Sequence, residues 1–324
     1  MRNLILYIAA SLAAGVIVSA GSMRADAADA GAPQNQTITA EGEDKPLDLA
    51  WSVAPGVRIE IGDVRGSVTV TGGDAAQVHV GGSLGEGSKL EIAGDAQHLS
   101  LKVEGGHNGW FGGNGPDSDT DLLVSVPRAA ALKLGVVSAD ASVTGVAGPS
   151  LEVSGVSGKL SLASGAPQVD VNSVSGDIVF SAAQPNPAAR THLQTVSGDI
   201  QARKLGGRVK LETVSGDIKL DAGELDDLET GTVSGDATIR AALTAHGRMS
   251  MESMSGDIRV HLPDSLSAHV EASTFSGGID SDFGKVRERE HGSGSSLDAR
   301  VGNGDAQIHA QTFSGEVELR RQGG

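Results

Sequence analysis

One phrase constrains this chain more than any other feature: Leu211–Leu220, LETVSGDIKL, is rewritten along its length. NSVSGDIVF starts at Asn172, QTVSGDIQA at Gln194, GTVSGDATI at Gly231, ESMSGDIRV at Glu252, STFSGGIDS at Ser273 and QTFSGEVEL at Gln311. A weaker copy, SGVSGKLSL, starts at Ser154, and a degenerate one, GVVSADASV, at Gly135. The serine of the phrase recurs at gaps of 19, 18, 22, 18, 19, 21, 21 and 38 residues from Ser138 to Ser314. Such a period belongs to stacked supersecondary units, each too small to bury its own apolar side and therefore buried against its neighbours. The last gap is close to two ordinary ones, which predicts one further unit disguised by an insertion.

Within each copy the pattern is that of a strand. Val209, Leu211 and Thr213 alternate with Lys210 and Glu212, and Ile218 and Leu220 alternate with Lys219 and Asp221. Period-two alternation of β-branched and aliphatic residues indicates β structure. The two halves are out of phase, since Leu211 and Thr213 have odd numbers while Val214, Ile218 and Leu220 have even ones. On one flat strand, one of these sets would face water. A corner at the Thr/Ser–apolar–Ser–Gly step lets both sets, Val214 included, face inward. Glycine suits such a corner through its tolerance of positive φ, and Ser and Asp through local backbone hydrogen bonds. The corner residues so identified are Ser175, Gly176 and Asp177; Ser197, Gly198 and Asp199; Ser215, Gly216 and Asp217; Ser234, Gly235 and Asp236; and Ser255, Gly256 and Asp257.

The fold class expected is all-β: a right-handed parallel β-solenoid, or β-helix, with an irregular N-terminal β section. Neighbouring coils would lie about 4.8 Å apart, with the hand usual for parallel crossovers. An antiparallel sandwich or barrel built from the same strands is the competing arrangement.

Aromatic residues make up only 2% of the chain, so its interior must be filled by Val, Ile, Leu and Ala. Residues 1–30 read as a secretory signal peptide: Arg2, an apolar run over Leu4–Val18, and small-x-small sites at Val18–Ala20 and Ala28–Ala30. That run is short for a bilayer span, and no integral membrane span is expected after cleavage. The chain has no cysteine, which excludes disulfides, thiol catalysis and cysteine-bound metal. Its net charge of −16 is unchanged without residues 1–30, because Arg2 and Arg24 leave together with Asp26 and Asp29. Such acidity argues against a nucleic-acid or anionic-lipid partner.

The domain reading follows the composition. Residues 31–48 are a polar flexible linker, 49–128 an N-terminal β section of short strands or a cap, and 129–320 the solenoid repeats. The N-terminal section contains a glycine-rich stretch, Gly105–Thr120, with Trp110 and Phe111, expected to close one end of the rod or to contact a ligand. Ala182–Ala189 is a loop insertion, and Ser281–Ser296 a charged excursion projecting from the rod. LDARV, AQIHAQTF and GEVELRR are expected to form a C-terminal cap.

The iterated T-[VF]-S-G-[DE]-[IV] units, the segment LPDSLSAHVEASTFSGGIDSDF at Leu262–Phe283, and GVRIEIGDVRGSVTV at Gly56 resemble the bacterial "putative adhesin" family of β-strand repeat domains of unknown function. The resemblance spans Trp51 to Arg320. It implies an exported or envelope-associated β-solenoid and supplies no ligand or catalytic residue. The phrase is broken at Ala139, Lys159 and Gly278, so the aspartate is not under strict chemical demand.

Three constellations invite chemistry. The row Asp177, Asp199, Asp217, Asp236 and Asp257 would place carboxylates about 5 Å apart. Calcium favours several oxygen ligands, but the spacing does not match the short nonapeptide calcium repeat, and corner capping is the favoured role. A hydroxyl row of Thr195, Thr213, Thr232, Thr274 and Thr312, with Ser173 and Ser253, would order water only if it faced outward. Polysaccharide cleavage would need a defined carboxylate pair, and none stands out. The nine histidines are scattered without zinc-type spacing. The expectation is a non-enzymatic envelope protein, periplasmic or at the cell surface, without cofactor or metal, acting as adhesin or scaffold on an unknown envelope or surface component. A polysaccharide-binding or polysaccharide-cleaving β-helix is the alternative.

Overall fold

The computed structural model describes residues 36–39, 45–85, 87–104, 119–288 and 294–322. The signal-peptide reading, Trp110 and Phe111 lie outside these residues. The described residues contain 23 strands and no helix.

Each repeat contributes one strand before the Ser-Gly-Asp corner and one after it. The strands before the corner form a front ladder, and those after it a back ladder. In the front ladder Ser150–Ser157, Gln168–Ser175, Arg190–Ser197, and residues 208–215, 227–234 and 248–255 pair in parallel, each with the next. In the back ladder the parallel order is Leu160–Ser164, Ile178–Ala182, then residues 200–205, 218–225, 237–243 and Ile258–Leu262. Parallel pairing of equivalent positions rules out the antiparallel alternative for the repeats.

The register explains the composition. Val171, Leu193, Leu211, Thr230 and Met251 are successive partners on the inner side of the front ladder, and all are buried. Facing them, Ile178, Ile200, Ile218, Ala237 and Ile258 form a buried row on the back ladder, and Leu162, Phe180, Ala202, Leu220 and Ile239 form another. A large side chain sits beside a small one where Phe180 partners Ala202, which keeps a narrow interior filled without voids.

Both ends depart from sequence order. Arg58–Gly73 supplies both ladders and is in register with Ala131–Val146, so the ladders run across the expected boundary at 128/129. The unit formed by His98–Glu104 and Thr120–Pro127 follows Arg58–Gly73 in sequence but pairs on its far side. Antiparallel strands then finish this end: Lys89–Gly94 and Gln36–Thr39 on one ladder, Gln77–Leu84 and Lys45–Ser52 on the other. Part of the expected flexible linker is therefore strand, because its backbone closes an edge that would otherwise stay unpaired.

At the C-terminal end the expectation of a disguised unit is corrected, and of the three strands expected to form the cap only LDARV does so. Ala306–Ser314 inserts between residues 248–255 and Ala268–Ser276, parallel to both. Val317–Arg321 likewise inserts between Ile258–Leu262 and Ile279–Ser281. The last repeat in sequence is thus the penultimate one in space. The cap comes from inside the charged excursion and just after it: Ser295–Val301 runs antiparallel along Ala268–Ser276, and Arg287–Glu288 pairs with its start.

Candidate functional site: the repeated corner and its outward ridge

The corner repeats one hydrogen-bond device. Gly216 N–H donates forward to the Ser234 carbonyl at 3.1 Å, and Ile218 N–H donates forward to the Asp236 carbonyl at 2.9 Å. The amide between them points the other way, and Asp217 N–H donates back to Asp199 Oδ1 at 2.9 Å. The same bond links Asp199 N–H to Asp177, Asp236 N–H to Asp217, and Asp257 N–H to Asp236, at 2.9–3.0 Å. Each carboxylate thus replaces the carbonyl that the turning backbone cannot offer. Capping requires an aspartate below the amide, not at it. Lys159 N–H is capped by Asp140 at 2.7 Å, and Glu316 N–H by Asp257 at 2.9 Å. Gly278 lies on the outermost parallel repeat, next to the antiparallel cap, so no further corner needs a carboxylate from it.

The glycines are needed chiefly for close approach. A Cβ on Gly176, Gly198, Gly216, Gly235 or Gly256 would come within 3.0 Å of the glycine carbonyl oxygen of the preceding repeat. Only some of them, Gly235 and Gly256 among those five, also have positive φ. The expected tolerance of positive φ is thus used at some corners, and close approach at all five. The five corner serines are exposed at the edge.

The hydroxyl row faces inward. Thr195, Thr213 and Thr312 are buried and donate to the carbonyls of Gly176, Gly198 and Gly256 at 3.2–3.3 Å. Ser173, Thr232 and Ser253 are buried in the same row without a partner among the described residues. This row therefore presents no outward face for ordering water.

Val214 does not face inward as expected. The front strand runs straight through residues 208–215 and turns only at Gly216, so Thr213 and Val214 point to opposite sides. Thr213 takes the interior and Val214 is 46% exposed. Eight further repeats do the same. In spatial order Val137, Val156, Val174, Val196, Val214, Val233, Met254, Phe313 and Phe275 are all exposed by 43–59%. The corner-serine register aligns them in one row. At its end the Phe275 and Phe313 rings stack with centroids 4.6 Å apart and planes 7° from parallel.

A family model, Toastrack DUF4097, matches residues 57–320, the span that carries both ladders and the ridge. The chain belongs to the Toastrack DUF4097 family. No curated protein matches it. Solved structures are also similar to it. One is described as a putative cell adhesion protein from Clostridium sporogenes, with 12% identity, 86% of this chain and 100% of that one covered, and a TM-score of 0.20. Another is described as a putative adhesin from Bacteroides fragilis, with 11% identity, 85% and 97% covered, and a TM-score of 0.36.

The outer face of the Toastrack front ladder carries paired charges. His192 lies 3.5 Å from Asp170 and 3.2 Å from Glu212, and Lys210 bridges Glu212 and Glu229 at 3.1 and 3.2 Å. Asp170, His192, Lys210 and Glu229 line a shallow groove with Glu152 and Arg208. Beside the corners, Arg259 binds Asp236 Oδ2 at 2.9 Å and Asp257 Oδ2 at 2.6 Å. The Asp257 N–H, with Arg259 adding, holds the Asp236 carboxyl below the usual carboxylate range. Among the described residues no three His, Asp or Glu side chains are placed to hold a metal ion, and no helix is long and apolar enough to cross a membrane.

Sequence reasoning located the corners and missed the ridge. The signal was present, because Thr213 and Val214 are adjacent and neighbours on a strand cannot share a face. Ranking Val as the more apolar of the two hid it.

Proposed function

We propose that this Toastrack protein is an exported, non-enzymatic cell-envelope protein, an adhesin or scaffold built as a right-handed parallel β-solenoid, which works by surface contact. The observation that carries this reading is the nine-rung ridge of half-exposed Val, Met and Phe. A contiguous exposed apolar row rimmed by polar residues is characteristic of interaction surfaces. The repetition suits many weak, equivalent contacts that sum to avidity.

The charged groove around His192 gives less support to an enzyme. Its His and Lys side chains lie against carboxylates within 3.5 Å, and none of them is offered to a substrate by a converging set of partners. A polysaccharide-binding or polysaccharide-cleaving protein remains the second reading, favoured only by the length of that groove.

The test combines a pull-down from intact envelopes with a glycan array and a polysaccharide-depolymerisation screen. Retention of an envelope component without product release is the expected result. Release of oligosaccharide overturns the non-enzymatic reading, and silence in every assay overturns the contact reading.

A further inference from the structure

From the chemistry that flanks the ridge, we infer that its partner is a cationic amphipathic α-helix lying along it. This deepens the contact reading above and rests on it. The six rungs from Val174 to Phe313 have closely similar surroundings. Counting from two residues before each rung to three after, these windows hold Asp177, Asp199, Glu212, Asp217, Asp236, Glu252, Asp257 and Glu316, and no Lys or Arg. From outside these windows Arg259 engages Asp236 and Asp257, Lys210 and His192 engage Glu212, and Lys219 approaches Asp217 at 4.0 Å, which leaves Asp177, Asp199, Glu252 and Glu316 of the eight. The ridge is therefore an apolar row with a carboxylate on the corner side of each of these rungs, joined on the other side by Glu212 and Glu252, the complement of an apolar stripe bordered by Lys and Arg.

Geometry selects the helix. Rungs repeat about every 4.8 Å, and the apolar stripe of a helix repeats about every 5.4 Å. The mismatch is about 0.6 Å per rung, so the two rows keep step over about four rungs before they differ by half a rung. A strand laid along the ridge presents same-side residues about 6.7 Å apart and is half a rung out of step after about one to two rungs. Nine rungs span about 38 Å, the length of a helix of about 26 residues. A shallow groove beside the ridge is lined by Gln194, Glu212, Gly231 and Glu252 as well as by Val214 and Met254. At Gly231 the groove is open, since a Cβ there would meet nothing within 4 Å.

Two other occupants fit less well. A second copy would bring a carboxylate row against a carboxylate row on chains of net charge −16. A sugar ring stacks on aromatic faces, and the ridge carries aromatic rings only at its last two rungs, Phe313 and Phe275, which stack on each other.

The experiment measures binding of the purified protein by fluorescence anisotropy at physiological salt, with three synthetic 26-residue probes of Leu with Lys or Glu. One is a Leu/Lys amphipathic helix, one its Leu/Glu counterpart, and one an alternating Leu/Lys peptide of the same composition as the first. The Leu/Lys helix is expected to bind at least tenfold more tightly than either of the others. Val196→Ser, Val214→Ser and Val233→Ser together are expected to weaken it at least tenfold. In the unmutated protein, methyl NMR shifts on helix addition are expected at Val196, Val214 and Val233, which makes the result independent of how the variant folds. Equal binding of the variant with no shift at these valines reduces the effect to bulk charge and overturns the proposal. Equal binding of the alternating peptide overturns the helix. Dimerisation in sedimentation that the triple substitution abolishes overturns it in favour of a second copy. An envelope pull-down that succeeds while the helix probe fails removes the helix and leaves the contact reading intact.

Discussion

At the residue scale, glycine and aspartate divide the work of the corner. Glycine lets successive backbones approach, and aspartate satisfies the one amide that the turn reverses. Two glycines of neighbouring repeats separate these effects from mere composition. Gly216→Ala drives a Cβ into the backbone carbonyl of Gly198, a neighbour that cannot move without opening the ladder. A loss of about 3 kcal/mol is expected in urea unfolding, at the upper end for overpacking. Gly231→Ala meets open space without positive φ, so it should be neutral or stabilise by up to about 1 kcal/mol through the unfolded chain. The aspartates add a pH dependence of definite sign. The Asp257 amide, then Arg259, depresses the Asp236 carboxyl, and the Gln97 and His98 amides depress that of Asp95. A folded value below the unfolded one, about 3.9 for Asp, means that the unfolded chain binds more protons on acidification. The contribution is complete above that value and is lost as pH falls through the folded one. Thermal melts should therefore be insensitive to these groups from pH 7 to 5 and fall below about pH 4, with a shallower acid limb in Asp236→Asn.

At the element scale, the front strand has two faces that a substitution pair can distinguish. Leu211 is fully buried between Leu193 and Thr230 in its row, whereas Val214 is half exposed three residues later. Leu211→Ala should cost about 2–5 kcal/mol. Val214→Thr keeps the β-branched shape outside the core and should change stability by less than about 0.5 kcal/mol. Equal costs in chemical denaturation would mean that the corner begins before Val214. An apolar residue recurring at a position that contributes little to the core is what makes the ridge a surface to be explained by contact with something else.

At the scale of the whole molecule, the last repeat behaves unlike an end. In a simple stack the terminal unit has one neighbour and its removal is cheap. Here residues 306–322 lie between residues 248–262 and 268–281. Deleting residues 306–324 should strip hydrogen-exchange protection from 268–276 and expose 248–262, while 190–234 stays protected. Full protection of 268–276 in the truncated protein would contradict this order. The same insertion places Phe313 beside Phe275 and Met254, ending the ridge in larger side chains.

The amino-acid sequence alone determined the β class, the period and the Ser-Gly-Asp corners, and it favoured the parallel stack of like on like, which the pairing in the structure decided. These follow from alternation and recurrence, which are local and repeat wherever the phrase does. Which of Thr213 and Val214 turns outward depended on a corner one residue later than hydrophobicity suggests, and the interior row of glycine carbonyls that accept threonine hydroxyls decided it. The order of the last repeats was legible nowhere in the chain. Near-identical phrases have near-identical edges, so any repeat can pair with any other. Only the antiparallel closure by Ser295–Val301 against Ala268–Ser276, which occupies the outer edge, leaves the final repeat its place inside.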